Sequence, residues 1–201
     1  MRMWMVPGLA LLLTACSNAP TESKSKPKAP EAPAAPITGK EAFYKTYPVA
    51  RTWASDCQPV RIRSYNLKQA PSADGKAGAW EVTFASLTKG RAKTVSWSAV
   101  EAEGLHVGVF AGQEESWSAT MAKPFPVQAI VTDTPAVLET AKTHGAAYFK
   151  RPGDRPPVTF LLESTSRFPN PAWRVYWGDS ASGAEFTVFV DSTTGEFLQK
   201  N

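Results

Sequence analysis

The segments Ala79-Trp80-Glu81-Val82-Thr83-Phe84 and Ala172-Trp173-Arg174-Val175-Tyr176-Trp177 share one pattern: apolar side chains recur at every second position from a tryptophan. This period of two is typical of a half-buried β-strand. Thr94-Val95 begins fourteen residues after Trp80, and Thr187-Val188 begins fourteen residues after Trp173. The equal spacing indicates that the chain contains an internal duplication.

A helix is predicted ahead of these strands in each half. Thr38-Gly39-Lys40-Glu41 has the spacing of a capping box, and the apolar residues after it recur at helical intervals as far as Cys57. Pro48 interrupts this pattern, so the helix either kinks there or begins again at the proline. Thr134-Pro135 predicts the second helix, with Thr134 as its cap. The apolar face of that helix comprises Leu138, Ala141, Gly145, Tyr148 and Phe149.

Alternating patterns predict the remaining strands. In the first half these patterns cover 60–63, 80–85, 95–99 and 105–109, whereas the polar segment 111–120 is predicted to form turns. In the second half they cover 158–162, 173–177 and 186–190, followed by a tight turn at 193–195 and the apolar pair Phe197-Leu198. The predicted fold class is α+β. It consists of two helix-plus-antiparallel-sheet, cystatin-like units at 38–121 and 122–201.

The N-terminal residues 1–15 have the features of an export signal. Arg2 provides a positive charge, and the apolar run 4–13 is shorter than the roughly 20 residues that span a bilayer. Leu13-Thr14-Ala15-Cys16 resembles the lipobox of bacterial lipoproteins. The resemblance implies cleavage before Cys16, which then carries a diacylglyceryl thioether and a further acyl chain such as palmitate. An ordinary secretory signal and a buried N-terminal helix are the alternatives.

Residues 16–37 are predicted to be the lipidated cysteine and a linker rich in Pro, Ala and Lys. Residues 17–36 include no large apolar side chain and cannot bury enough surface to offset the cost of ordering. Their prolines favour an extended spacer of up to roughly 60 Å. The predicted location is the extracytoplasmic side of the cell membrane, which is the periplasmic face of the outer membrane if the cell is Gram-negative. The lipid on Cys16 is the predicted membrane contact.

The second half resembles the PepSY domain. The residues that carry the resemblance are Trp173-Arg174-Val175-Tyr176 and the strand and turn Phe189-Val190-Asp191-Ser192-Thr193-Thr194-Gly195-Glu196-Phe197-Leu198. The first half has the same order of elements but lacks the Asp-x-x-Thr-Gly turn. The resemblance implies a helix packed on a curved antiparallel sheet in a non-catalytic exported module. No ligand residues follow from it.

Few residues are suited to catalysis. The 201 residues include two histidines, His106 and His144, on separate predicted elements, so no metal site or other cofactor is expected. Cys57 has no second cysteine to pair with once Cys16 is lipidated, and its place on the apolar helix face predicts a buried thiol. Glu163, Asp179, Glu185 and Asp191 lie near the second predicted sheet. An enzyme that acts on envelope polymers through these carboxylates or Cys57 is the alternative function.

The net charge of +4 is modest, and the basic residues are scattered, which argues against nucleic acid as a partner. Trp117 differs from most other tryptophans because it lies in a polar stretch, and it is the predicted contact residue for a partner. The sequence therefore predicts a membrane-anchored, non-catalytic binding or accessory module for a protein or peptide of the cell envelope.

Overall fold

The computed structural model describes residues 34–120, 122–178 and 180–201. The predicted signal peptide, Cys16 and most of the linker lie outside the described residues, as does Asp179. The described residues form one compact unit. Within the described part of the chain, no helix is long and apolar enough to cross a membrane.

The first half of the described chain contains one helix and six strands. In order these are β1 (Ile37–Thr38), α1 (Gly39–Trp53), β2 (Gln58–Tyr65), β3 (Lys76–Ala77), β4 (Ala79–Ser86), β5 (Arg91–Ser98) and β6 (Gly108–Ser116). The second half begins with a short 3-10 helix at Val127–Ala129. It continues with α2 (Thr134–His144), α3 (Ala146–Phe149), β7 (Val158–Glu163), β8 (Ala172–Trp177), β9 (Phe186–Asp191) and β10 (Phe197–Lys200).

Eight of the strands form one antiparallel sheet in the order β10-β9-β8-β7-β2-β4-β5-β6, and β1 pairs separately with β3. β2 of the first half and β7 of the second half pair at the centre of this sheet. The first-half strands β4, β5 and β6 follow on one side, and the second-half strands β8, β9 and β10 follow on the other. The buried side chains of both halves belong to a single hydrophobic core. The α+β class and the antiparallel sheet are therefore confirmed, while the division into units at 121/122 stays a prediction.

The repeated sequence spacing corresponds to a repeated strand register. Trp80 lies opposite Trp97, as Trp173 lies opposite Val190. Two residues further along, Val82 lies opposite Val95 and Val175 lies opposite Val188. The β4–β5 pair of the first half and the β8–β9 pair of the second half are thus aligned in the same way.

The two repeated tryptophans also make equivalent hydrogen bonds. The indole Nε1 of Trp80 donates to the carbonyl of Ile37, and that of Trp173 donates to the carbonyl of Thr132, each at 3.0 Å. Each acceptor directly precedes the N-cap residue of a helix. A Cβ added to Gly39 would lie 2.9 Å from Trp173 and 3.2 Å from Trp80. The start of α1 is therefore wedged between the two indoles.

The capping box predicted for α1 is confirmed, but the predicted extent of the helix is wrong. The hydroxyl of Thr38 accepts a hydrogen bond from the Glu41 amide at 3.2 Å, and the Glu41 carboxylate accepts one from the Thr38 amide at 2.9 Å. The helix continues through Pro48 and ends at Trp53. Cys57 lies beyond it, directly before β2, and is buried there. Its burial comes from packing between elements and not from a helix face.

The predicted cap of α2 is displaced by one residue. Asp133 is the N-cap, and its carboxylate accepts a hydrogen bond from the Thr134 amide at 2.7 Å. The same oxygen accepts a hydrogen bond from the Lys40 amide at 3.0 Å. The hydroxyl of Thr134 accepts from the Gly39 amide at 3.0 Å and donates to the Gly75 carbonyl at 2.5 Å. The N-termini of α1 and α2 therefore meet, which the sequence did not indicate.

The strand β6 was predicted incorrectly. The alternating segment 105–109 was expected to be a strand and 111–120 a turn, whereas the strand occupies Gly108–Ser116. This strand is at the edge of the sheet, and its residues are exposed or half-buried. An edge strand that faces solvent need not alternate apolar and polar residues, so the period of two is missing.

The turn after β9 is stabilised by the buried carboxylate of Asp191. Its Oδ1 accepts hydrogen bonds from the amides of Thr193 and Thr194 at 2.8 and 3.0 Å, and its Oδ2 accepts one from Asn170 at 3.0 Å. Burial disfavours the ionised form, but these hydrogen bonds outweigh it and lower the pKa of Asp191. Gly195 closes the turn with a φ of 77°, a conformation that favours glycine.

We expect Asp191→Asn to lower the free energy of unfolding by about 1–3 kcal/mol at neutral pH, because the charge that strengthens these hydrogen bonds is removed and the NH2 group that replaces Oδ2 cannot accept from Asn170. The native pKa lies below the unfolded value of about 3.9, so the ionised carboxylate stabilises the fold above that pH. This contribution is lost as the pH falls through the lowered pKa. Urea unfolding of both proteins at a series of pH values should show their stabilities converging in acid. Glu196→Gln removes an exposed carboxylate from the same turn and is the control. A difference that stays constant down to acid pH would contradict this role.

Candidate functional site

The two faces of the central sheet differ in chemistry. Residues alternate between the faces along β2 and β7. Ile62 and Leu162 are fully buried in the core, together with residues of both long helices. Arg61, Arg63 and Glu163 have the opposite parity and lie on the other face. We call this second face, which also carries Arg174 and Tyr176 of β8 in the same alternation, the open face.

A cavity of about 580 Å³ lies on the open face, where β2 of the first half pairs with β7 of the second. Both halves of the chain supply its walls, so we call it the seam cavity. Of the residues that the structure describes, its lining contains three arginines, one glutamate, one tyrosine and two serines. The lining residues are Arg61, Arg63, Leu161, Glu163, Arg174, Tyr176, Ser180, Ala181 and Ser182.

The guanidinium of Arg63 is held in place without a carboxylate partner among the described residues. It lies 4.9 Å from the centre of the Tyr65 ring, a cation–π distance. Glu81 lies opposite Arg63 in the β2–β4 register, but its carboxylate accepts a hydrogen bond from the hydroxyl of Tyr65. The pKa of Tyr65 is raised to about 12, first by burial and then by the hydrogen bond to Glu81 and the negative charge of Glu81. The Nε of Arg63 is buried and has no hydrogen-bond partner within the described chain.

Arg174 is held in a similar way on the second half. Its guanidinium lies 5.7 Å from the ring centres of both Tyr176 and Phe189. One Nη donates to the carbonyl of Ala181, in the loop between β8 and β9 that forms one wall of the seam cavity. The Nε of Arg174 is buried and unpartnered within the described residues. Arginines from both halves thus line one cavity, and the Nε of Arg63 and of Arg174 is buried without a partner among the described residues.

A second cavity, of about 410 Å³, adjoins the first and shares Arg61 and Glu163 with it. The Nε of Arg61 and the Oε2 of Glu163 form an ion pair at 3.9 Å. The side chain of Arg61 is 51% exposed and that of Glu163 is 31% exposed. An ion pair at this distance and exposure contributes little to stability. The shared pair can therefore separate at small cost when a ligand offers better partners.

Trp117 lies just after β6 and is half-buried. Its indole Nε1 donates to the carbonyl of Ala122 at 3.0 Å. Ala119, Thr120 and Ala122 line the second cavity, so Trp117 stabilises the loop that forms the wall of that cavity. Trp117 itself does not line either cavity, and its role as a partner contact stays a prediction.

The structure does not bring Cys57 and the histidines together as a catalytic group. Burial is the main cause that raises the pKa of the Cys57 thiol, which disfavours the nucleophilic thiolate. His106 is exposed and contacts Glu101 at 2.8 Å, in the turn before β6. His144 ends α2 and stacks on Phe197 at 4.0 Å. The described residues hold no cluster of three metal-ligating side chains.

The predicted carboxylates have separate surroundings. Glu163 lines both cavities, whereas Glu185 accepts a hydrogen bond from Tyr148 at 3.1 Å beside α3. Asp191 is opposite Ala172, which in turn is opposite Glu163, so the two acids are two strands apart. At about 4.8 Å per strand they are separated by roughly 10 Å. The oxygens of Asp191 already accept hydrogen bonds from the turn and from Asn170, and of these acids Glu163 is the one that lines the two adjoining cavities.

The grouping of Arg61, Arg63 and Arg174 at the seam cavity was not predicted from the sequence. A weak signal existed, because Val60-Arg61-Ile62-Arg63 and Trp173-Arg174-Val175 both place arginines on the polar phase of a strand. Such residues are usually a solvated face. Only the pairing of β2 with β7 places Arg61 and Arg63 near Arg174, which is over a hundred residues away in sequence.

No family model and no curated protein matches the chain. The fold is similar to the crystal structure of a candidate lipoprotein from Clostridium difficile 630, with a TM-score of 0.53. The two chains are 11% identical, and the similarity covers 80% of this chain and 91% of the other. At this level of identity the comparison identifies a shared architecture and transfers no residue roles.

Proposed function

We propose that this protein is a lipid-anchored module of the cell envelope that binds a protein or peptide partner on the open face of its sheet. The observation that carries the proposal is the seam cavity, because it gathers arginines from both halves of the chain beside a second, adjoining cavity. A non-catalytic role accords with the buried Cys57 and with the separate surroundings of the acids.

The proposed anchor rests on the lipobox-like Leu13-Thr14-Ala15-Cys16 and the proline-rich segment after it. A diacylglyceryl group provides two acyl chains, and each buried methylene contributes about 0.8 kcal/mol, so two or more chains hold firmly. The similarity to a candidate lipoprotein of the same architecture supports this location. In this proposal the two halves are PepSY-like units that arose by duplication and joined edge to edge through β2 and β7.

The anchor is tested by expressing wild-type protein and Cys16→Ser in a bacterial host. We expect the N-terminal peptide of the wild type to carry the mass of an acylated cysteine and the protein to fractionate with membranes. Cys16→Ser should leave the membrane fraction. An unmodified Cys16 with the signal retained would overturn the anchor without affecting the fold.

Partner binding is tested by chemical crosslinking in intact cells, followed by purification of the tagged full-length chain. We expect Arg61→Glu to reduce recovery of a specific crosslinked partner at least about fivefold, since a charge-assisted contact contributes about 1 kcal/mol or more. Arg51→Glu makes the same charge change in the last turn of α1, away from the open face, and is the control. Equal recovery from all three proteins would contradict binding on the open face.

A further inference from the structure

We infer that the seam cavity binds an oxyanion group, a carboxylate or a phosphate, between Arg63 of the first half and Arg174 of the second. This inference rests on the proposed function, because it assigns the ligand chemistry of the same face. It goes beyond that function by naming the chemical group and the side chains that recognise it.

The first argument is the set of unsatisfied donors. The Nε atoms of Arg63 and Arg174 are both buried and have no acceptor among the described residues. A buried donor without a partner is costly, so such donors in a native cavity call for an explanation. An oxyanion supplies several lone pairs within one small group, and it can accept from two guanidinium groups at the same time.

The second argument is preorganisation. Arg63 is stacked on Tyr65, and Arg174 lies over Tyr176 and Phe189, so both planar guanidinium groups have little freedom to lose on binding. Glu81, the carboxylate opposite Arg63, is hydrogen-bonded to Tyr65. The contacts with the aromatic rings therefore hold the two guanidinium groups in place. The hydroxyl of Tyr65 occupies the Glu81 carboxylate, which would otherwise be the neighbouring acceptor for Arg63.

The third argument is the charge of the lining. Among the described residues, three arginines and one glutamate line the seam cavity, and Ser180 and Ser182 add hydroxyl donors at its loop wall. Glu163 lies on the side where the two cavities meet. It makes that side less favourable for an anion, so the geometry places the bound group toward Arg63 and Arg174.

The inference is tested by NMR titration of residues 16–201 carrying Cys16→Ser, which contain the whole sheet and core. The probes are inorganic phosphate and succinate, added separately in low-salt buffer. We expect at least one of them to shift the Nε–Hε signals of Arg63 and Arg174 downfield in a saturable way. Saturation by phosphate alone identifies a phosphoryl ligand, and saturation by succinate alone identifies a carboxylate ligand.

Three cavity variants, two expected to weaken binding and one expected to strengthen it, make the test specific. Arg63→Gln or Arg174→Gln should weaken the binding of the probe about tenfold or more, because a charge-assisted hydrogen bond is lost. Glu163→Gln should strengthen it several-fold, because a like charge is removed and Arg61 loses its carboxylate partner. Arg51→Gln is the matched control for net charge and should leave the affinity unchanged.

The inference fails if neither probe saturates, or if Arg51→Gln weakens binding as much as the cavity variants do. These results are distinguishable from failure of the proposed function. Crosslinking that still depends on Arg61 would then retain the open face as a binding surface while removing the oxyanion from it.

Discussion

Trp173→Ala is expected to be among the most destabilising single substitutions in this protein, at about 3–5 kcal/mol. Trp173 is fully buried. Its indole packs against Gly39 on one side, and the indole of Trp80 packs against Gly39 on the other. The loss of Trp173 leaves a large cavity between the two halves and removes the hydrogen bond to the Thr132 carbonyl. At about 2–4 °C per kcal/mol for a chain of this size, the melting temperature should fall by roughly 6–20 °C.

The prediction is checked by thermal and urea unfolding, with Trp80→Ala as its counterpart in the first half. Because Trp80 is equally buried and makes the equivalent hydrogen bond, the two losses should be of similar size. Trp53→Ala is the control, since Trp53 is half-buried and its indole donates to the exposed Glu114. If Trp173→Ala cost no more than Trp53→Ala, the two indoles would not form the centre of the core.

The second large effect is expected for Thr134→Val, at about 2–6 kcal/mol. Valine has nearly the same shape as threonine, so packing is retained while the hydroxyl is lost. The Gly39 amide and the Gly75 carbonyl would then be buried without partners, at about 1–3 kcal/mol each. Both groups belong to the first half, so the change should weaken the attachment of α2 to it.

Hydrogen exchange followed by mass spectrometry provides a direct readout of this attachment. We expect Thr134→Val to lose protection at the start of α1 and around Gly75, in addition to a lower free energy of unfolding. Thr143→Val is the control, because its exposed hydroxyl bonds to the Glu139 carbonyl within α2. Loss of stability equal to that of Thr143→Val would show that the junction of the helix N-termini is not stabilising.

The elements that could be predicted from sequence are those whose pattern follows from burial on one face. The strands at Trp80 and Trp173 alternate because one side of each packs in the core, and Thr38 with Glu41 satisfies local backbone donors within one helical turn. The edge strand β6 was missed because solvent reaches it and no alternation is required. The length of α1 was overestimated because apolar residues after Trp53 are buried by other contacts.

Little of the candidate site could be predicted from sequence. Trp117 is the contact residue predicted from its polar surroundings; its indole donates to the Ala122 carbonyl, but it lines neither cavity, and its role stays a prediction. The arginines were not selected, because Arg63 and Arg174 are unremarkable on their own strands. Their significance depends on the two buried Nε atoms that have no hydrogen-bond partner among the described residues, which is a property of the folded arrangement.

The sequence by itself determined the α+β class, the alternating strands that begin around Trp80 and Trp173 with their equal spacing to the next strand, and the start of α1 at its capping box. These are local properties, set by the period of side chains along a strand or helix. Only the tertiary structure decided that β2 pairs with β7, that α1 and α2 meet at Asp133 and Thr134, and that arginines of both halves share one cavity. The physical reason is that these contacts join distant parts of the chain, and no local pattern specifies which strand edges will pair.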